Sequence, residues 1–207
     1  MIEVHHLNNS RSQRVLWCLE ELGVEYEIHK HTRDPATNLA PESLKQVHPL
    51  GKSPVVRDGK RVIIESGAIL DHLVRAHGGG RLAPKPDSPE HLRYQQLLHY
   101  AEGSAMLPVM LKLYLSRLGD AAAPLLPRVH GEIDNHFGWL DRELGRQSWF
   151  LGEELSAADI QLSFVIQAGR MLYGLDKFPK LAAFLERARA RPAYQRAIER
   201  GGEYAFG

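Results

Sequence analysis

The chain has very little cysteine and no long apolar run. Its 207 residues include one cysteine, Cys18, which excludes an internal disulfide and an intrachain Cys-x-x-Cys redox pair. No apolar run approaches the ~20 residues that span a bilayer, and the N-terminus lacks a secretion signal. We therefore expect a cytoplasmic protein that does not enter membranes and takes any reactive thiol from another molecule.

The chain also lacks an excess of charge of either sign. Its 26 Lys and Arg residues and 25 Asp and Glu residues leave a net charge of +1, so no field favours a polyanionic partner, and we expect no nucleic acid to bind. Hydrophobic residues make up 43% of the chain. A globular protein of one large or two small domains is expected.

The first eighty residues have the pattern of an α/β domain. Side-chain alternation predicts strands at residues 1–7, 24–29, 54–57 and 61–64, and Asp58-Gly59 is a hairpin signal between the last two. Helical spacing before Gly23, between Pro41 and Pro49, and after Glu65 predicts three helices. The predicted order is βαβ, helix, ββα.

The second half shows only helical patterns. Residues 81–89 contain three prolines and predict a linker between a domain of residues 1–80 and an all-helical domain of residues 90–207. Gly103 and Pro108 lie inside the first predicted helix, residues 90–117, and predict a bend or break there. The other predicted helices cover residues 125–144, 157–172, 180–190 and 193–200.

Small polar residues collect where the first strand meets the first helix. Asn9, Ser10 and Ser12 lie at a helix N-terminus, whose unpaired N–H groups and dipole attract an anion. A hydroxyl there can cap the helix, or it can donate its hydrogen to a bound thiolate. Both interpretations remain open at this point.

Two further segments carry polar groups to the same edge of the predicted sheet. Lys52-Ser53-Pro54-Val55 begins a strand with a proline, which fits either an ordinary strand start or a turn that offers the Ser53 backbone to an extended ligand. Glu65 and Ser66 open the last helix of the domain, where Ser66 is a natural N-cap whose N–H groups could also bind a carboxylate. Together these segments describe one polar pocket.

These segments resemble the cytosolic glutathione transferases. The resemblance covers the whole chain and includes Asn9-Ser10-Arg11, as in bacterial and fungal relatives, His48-Pro49-Leu50-Gly51-Lys52-Ser53-Pro54-Val55, Glu65-Ser66 and a buried capping box of Ser156 and Asp159. It implies a thioredoxin-like domain (βαβ-α-ββα), an all-α helical bundle that completes a hydrophobic pocket, and a homodimer. The implied reaction conjugates glutathione, the co-substrate, to small hydrophobic electrophiles in detoxification.

The resemblance also implies roles for individual residues. Ser10, or else Asn9, would donate to the glutathione thiolate. The residues implied to bind the tripeptide are Lys52 (glycyl end), Ser53 beside cis-Pro54 (cysteinyl part), Val55, and Glu65 and Ser66 (γ-glutamyl part). Tyr100, Met106 and Leu107 would line the hydrophobic pocket, and Glu102 would reach the ligand of the partner subunit.

Other chemistries remain as alternatives. The same site could reduce peroxides or disulfides with glutathione, or the fold could serve as a non-catalytic adaptor. Cys18 lies at helical spacing with Val15 and Leu22, which predicts a core position. The eleven histidines show no metal-ligand spacing, so no metal is expected.

Overall fold

The computed structural model describes residues 1–206, which form two compact units, Met1–Arg81 with the segment from Arg189 onward, and Leu82–Ala188. The first unit begins with a four-stranded mixed sheet. Its strands and helices are β1 (Ile2–Leu7), α1 (Ser12–Leu22), β2 (Tyr26–His31), α2 (Ser43–Val47), β3 (Val55–Asp58), β4 (Arg61–Ile63) and α3 (Ser66–His77).

The strand order is β2-β1-β3-β4, with β1 parallel to β2 and antiparallel to β3. The predicted βαβ, helix, ββα order is confirmed, although β2 begins two residues later than predicted. The hairpin is confirmed as well, because Asp58 pairs with Arg61 and Gly59 has φ +60°, a conformation that glycine adopts without steric cost. Helices α1 and α3 bury their apolar faces in this unit.

The second unit is helical. It contains α4 (Pro89–Tyr100), a π-helical segment (Ala101–Ala105), α5 (Met106–Leu115), a 3₁₀ turn (Gly119–Ala122), α6 (Leu126–Leu144), α7 (Ala157–Leu172) and most of α8 (Pro179–Arg189). Residues 157–169 of α7 are all buried, which makes this helix the centre of the unit.

The predicted break in the helix at residues 90–117 is confirmed as the π-helical segment, which contains Gly103. Pro108 lies in the first turn of α5, where its missing N–H removes a hydrogen bond to the preceding turn. The capping box is also confirmed, because Asp159 accepts hydrogen bonds from the Ser156 N–H (2.8 Å) and hydroxyl (2.6 Å).

The last helix, α9 (Pro192–Gly201), belongs with the first unit, whereas the sequence placed it in the helical domain of residues 90–207. Tyr194 packs edge-to-face on Trp17 of α1, with ring centroids 5.2 Å apart. Arg191 binds Glu21, and Arg196 and Arg200 bind Glu20. The predicted domain boundaries, at residues 80 and 90, stay a prediction. Helix α9 is grouped with the first unit because of its contacts with α1.

Candidate active site

The loop between β1 and α1 carries the two residues predicted to act on a thiolate. Ser10 is buried and Asn9 is half-buried, with φ +50° at Asn9 turning the chain into the helix. The Ser10 Oγ accepts a hydrogen bond from the Ser12 N–H (3.2 Å), and it lies 2.8 Å from the Ser12 Oγ. Ser10 therefore binds a backbone amide of the first turn, as a cap does, although the helix itself begins at Ser12.

A buried hydrogen-bonded chain continues from Ser10 into the domain. The Ser12 Oγ lies 2.8 Å from His6 Nδ1 and accepts the Leu7 N–H at 3.2 Å. It also lies 3.2 Å from the Leu7 carbonyl oxygen, to which it can donate. Burial lowers the pKa of His6 to about 4, with Lys30 adding to the effect, so this imidazole is neutral at pH 7 and carries one N–H.

Asn9 is held from both sides. Its Oδ1 accepts the Ala205 N–H at 2.6 Å, so the segment after α9 contacts this loop. Its backbone carbonyl accepts a hydrogen bond from Arg33 Nη2 at 3.3 Å. With Oδ1 used as an acceptor, the donors of the Asn9 amide are on Nδ2.

The turn before β3 lies against β1. The Ser53-Pro54 bond is cis, and the Ser53 hydroxyl donates to the His5 carbonyl at 2.9 Å. Val55 is buried and pairs with His5 across the sheet. Lys52 is exposed. These contacts place the Ser53 backbone beside the last residues of β1.

The start of α3 joins the same edge through a buried arginine. Arg14 of α1 is 1% exposed, and its Nη2 donates to the Ser66 Oγ at 2.9 Å. The prediction of Ser66 as the N-cap is wrong, because Ser66 is the first helical residue and Glu65 occupies the cap position. The hydroxyl is turned toward Arg14 instead.

Glu65 is exposed, with φ +66° and ψ +113°. A non-glycine residue at such angles costs on the order of 1–3 kcal/mol, and strained residues of this kind concentrate at ligand sites. The structure thus brings the Asn9-Ser10 loop, the Ser53-Pro54 turn and the Glu65-Ser66 helix start to one edge of the sheet.

The residues predicted for a hydrophobic pocket lie in the helical unit but not together. Tyr100 is half-buried, with its hydroxyl 2.7 Å from His136 Nδ1. Met106 is 2% exposed in the core, and Leu107 is 59% exposed on the surface. Glu102 is half-buried in the π-helical segment.

A cavity of about 530 Å³ lies beside Tyr100. Its lining residues come from α4, the π-helical segment and α6, and they are Arg93, Gln96, Leu97, His99, Tyr100, Gly103, Ser104 and Trp139. Of the predicted pocket residues, Tyr100 lines this cavity, and Met106 and Leu107 do not.

Ser12 and His6 are functional candidates that the sequence does not single out as a pair. Their separation of six residues has no motif, and only the turn from β1 into α1 brings the hydroxyl to the imidazole.

The core position predicted for Cys18 is confirmed, because the residue is fully buried and burial raises the pKa of its thiol. None of the helices formed by residues 1–206 has the length and apolar character needed to cross a membrane.

Comparisons with known proteins agree with this architecture. Residues 1–75 match the family "Glutathione S-transferase, N-terminal domain", and residues 123–187 match "Glutathione S-transferase, C-terminal domain". Glutathione S-transferase 3 of Schizosaccharomyces pombe is 34% identical over 97% of this chain and 88% of its own length.

Solved structures give the same result. A glutathione S-transferase from Actinobacillus pleuropneumoniae is 32% identical, with a TM-score of 0.90, over 100% of this chain and 95% of the other. A glutathione transferase family member from Pseudomonas fluorescens, solved with two glutathione bound, is 27% identical, with a TM-score of 0.81, over 96% and 92% of the two chains. The fold class expected from the sequence is confirmed, and the chain belongs to the glutathione S-transferase family.

Proposed function

We propose that the protein is a glutathione transferase that holds the glutathione thiolate at the start of α1 and conjugates it to small hydrophobic electrophiles. The observation that carries this proposal is the buried chain from Ser10 through Ser12 to His6. When Ser12 donates to Ser10, these contacts occupy the acceptor positions of the Ser10 hydroxyl, and its hydrogen can bind an anion in front of the helix.

The directions of the hydrogen bonds from His6 through Ser12 to Ser10 decide whether the Ser10 hydroxyl can donate to a ligand. With the single hydrogen of His6 on Nδ1, His6 donates to the Ser12 Oγ. The one hydrogen of the Ser12 hydroxyl then goes either to the Leu7 carbonyl or to the Ser10 Oγ, and the proposal requires that it goes to Ser10. Ser10 then accepts two hydrogen bonds, from the hydroxyl and the amide of Ser12, and its own hydrogen can reach a thiolate. With the hydrogen on Nε2, the order reverses and Ser10 donates inward, so the proposal requires the Nδ1–H tautomer.

The energy required is within reach of these groups. Lowering the glutathione thiol pKa from about 8.5 to about 6.5 needs roughly 2.7 kcal/mol. One charge-assisted hydrogen bond contributes about 1.5–3 kcal/mol, and a helix N-terminus about 0.3–1 kcal/mol. The Asn9 Nδ2 is the second candidate donor.

The remaining polar groups at this edge of the sheet are assigned to the rest of the tripeptide. Glu65 and Ser66 bind the γ-glutamyl amine and carboxylate, and the backbones of Ser53 and Val55, beside Pro54, pair with the cysteinyl part. Lys52, which is exposed, binds the glycyl carboxylate. The strained backbone of Glu65 and the buried Arg14 behind Ser66 support a ligand at this place.

The electrophile is assigned to the helical unit, with Tyr100 as the candidate residue in the cavity and Met106 and Leu107 as candidates outside it. Glu102 is the candidate cross-subunit contact. We further propose that the protein acts as a cytoplasmic homodimer in detoxification. Sedimentation at several concentrations tests the dimer, and a mass of about 23.3 kDa throughout, that of one chain, contradicts it.

Kinetics with three substrate types test the reaction. The proposal predicts turnover of an electrophilic haloarene, with a peroxide or disulfide as the preferred substrate contradicting it. Ser10→Ala is expected to lower kcat/KM by about 10- to 100-fold, which corresponds to one charge-assisted hydrogen bond. The exposed Ser116→Ala is the matched control and leaves kcat/KM unchanged.

Binding of S-methylglutathione, which has no thiolate, separates tripeptide binding from sulfur activation. Ser10→Ala is expected to bind it normally, whereas Glu65→Gln is expected to bind it more weakly. An unchanged kcat/KM in Ser10→Ala, with a large loss of kcat/KM in Asn9→Ala, would identify Asn9 as the donor to the thiolate. Absence of turnover on all three substrates, with no glutathione binding, would favour the adaptor.

A further inference from the structure

Three side chains that the proposed reaction does not use converge between β3 and α3. His72 Nε2 lies 2.7 Å from Asp58 Oδ2, and His77 Nε2 lies 2.8 Å from the same oxygen. The three ligand-type atoms all lie within 4.8 Å of one another. Two imidazole nitrogens and a carboxylate oxygen therefore lie close together.

The backbone that carries this cluster is fixed. Asp58 ends β3 and is paired with Ile2 on one side and Arg61 on the other. Helix α3 is anchored by a buried face on which Ile69, Leu70 and Leu73 are fully buried. A site on helices and strands is held more precisely than a site on loops.

The cluster remains accessible to solvent. The side chains of Asp58, His72 and His77 are 17%, 21% and 29% exposed. An ion can therefore reach them from water, and a water molecule can complete its coordination.

The donor set suits a transition metal better than Ca²⁺ or Mg²⁺, which prefer oxygen ligands alone. Zn–N and Zn–O distances of about 2.0–2.2 Å place the ligand atoms of a tetrahedral site roughly 3.4 Å apart. The two Asp58 to histidine distances therefore need to open by about 0.6–0.7 Å when the ion binds.

We propose that Asp58, His72 and His77 bind a divalent transition-metal ion of the zinc type, with water in the fourth position. Each histidine binds through Nε2 in the neutral tautomer that carries its one ring hydrogen on Nδ1, so bonds to the ion take the place of the two hydrogen bonds to Asp58. The ion joins the β3–β4 hairpin to the last turn of α3, the helix that begins at Ser66. The sequence shows no such site, because only the hairpin brings Asp58 to the two histidines.

Metal binding to the full-length chain tests the proposal directly. The untagged protein is freed of metal with a chelator and titrated with Zn²⁺ by calorimetry and with Co²⁺ by visible absorption. One ion per chain is expected, with the intense Co²⁺ bands of four-coordinate geometry. Absence of a stoichiometric site, or weak bands of a six-coordinate ion only, overturns the proposal.

Glutamine variants separate metal binding from hydrogen bonding. His72→Gln and His77→Gln keep an amide that can donate to Asp58 but remove the imidazole, and each is expected to raise the Zn²⁺ Kd by more than about tenfold. His29→Gln is the matched control, because it removes an imidazole that stacks on His5 in another part of the sheet.

The control tests whether a histidine elsewhere in the sheet contributes equally to the binding. Unchanged binding in His72→Gln and His77→Gln, or an equal loss in His29→Gln, contradicts the assignment. Asp58→Asn provides an independent variant if a histidine variant does not fold, and it is expected to weaken binding in the same way.

Discussion

The buried carboxylate of Asp159 should make this protein respond to acid in an unusual direction. The side chain is 0% exposed, and it accepts hydrogen bonds from the Phe150 N–H (2.7 Å), the Ser156 N–H (2.8 Å) and the Ser156 hydroxyl (2.6 Å). Burial nevertheless raises its pKa to about 6, because desolvation outweighs the three donors.

The sign follows from proton linkage. Between the unfolded pKa of about 3.8 and the folded pKa of about 6, the native chain keeps a proton that the unfolded chain has released. This group therefore contributes stability at low pH that is lost as the pH rises through this window, by roughly 3 kcal/mol at about 1.36 kcal/mol per pKa unit.

Asp159→Asn removes the titration and keeps the shape. At pH 7 the amide can still accept from Phe150 but turns its NH₂ toward the Ser156 N–H, and one unsatisfied buried donor costs about 1–3 kcal/mol. The difference in unfolding free energy between wild type and variant should therefore be about 2 kcal/mol at pH 7 and about 4 kcal/mol near pH 4.

Urea unfolding at several pH values measures this difference, provided that the m value is the same in both proteins. Each free energy is taken from the midpoint and slope of the transition, so a change in cooperativity would be visible. A difference that shrinks on acidification would show that the hydrogen bonds outweigh burial and would refute the reasoning.

Three further predictions concern the first unit. Burial holds the pKa of His6 at about 4 in the folded protein, against about 6.5 in the unfolded chain. The folded state therefore loses roughly 3 kcal/mol of stability as the pH falls from about 6.5 to 4. His6→Gln should lose this part of the acid sensitivity, measured by thermal unfolding. Ser12→Ala should lower the free energy of unfolding, measured with urea, by about 3 kcal/mol, because the Leu7 amide and His6 Nδ1 each lose a buried hydrogen-bond partner. Glu21→Gln weakens two hydrogen bonds from Arg191 (2.5 and 2.8 Å) and should speed amide exchange in α9 about tenfold.

Local patterns in the sequence predict much of this fold. The spacing of Val15, Cys18 and Leu22 identifies the buried face of α1, and the Ser156 to Asp159 spacing identifies the capping box. Gly103 predicts the interruption between α4 and α5. Each of these features depends on residues within a few positions of one another, which is why a pattern can reveal them.

The rest depends on contacts between distant residues. No pattern shows that α9 packs on α1, because an amphipathic helix does not specify its partner, and the Tyr194 to Trp17 contact joins residues far apart in the chain. The Ser66 hydroxyl is turned from a capping role by Arg14 on another helix. The hydrogen-bonded chain behind Ser10 likewise depends on how β1 turns into α1.

The thiol pKa of bound glutathione tests the central claim most directly. Thiolate absorbance is followed against pH in the complexes of wild type and of Ser10→Ala. We expect a thiol pKa of about 6.5 in wild type and a value about 1–2 units higher in Ser10→Ala, since one charge-assisted hydrogen bond is lost. A wild-type value near the solution value of about 8.5, or the same low value in both proteins, would contradict it.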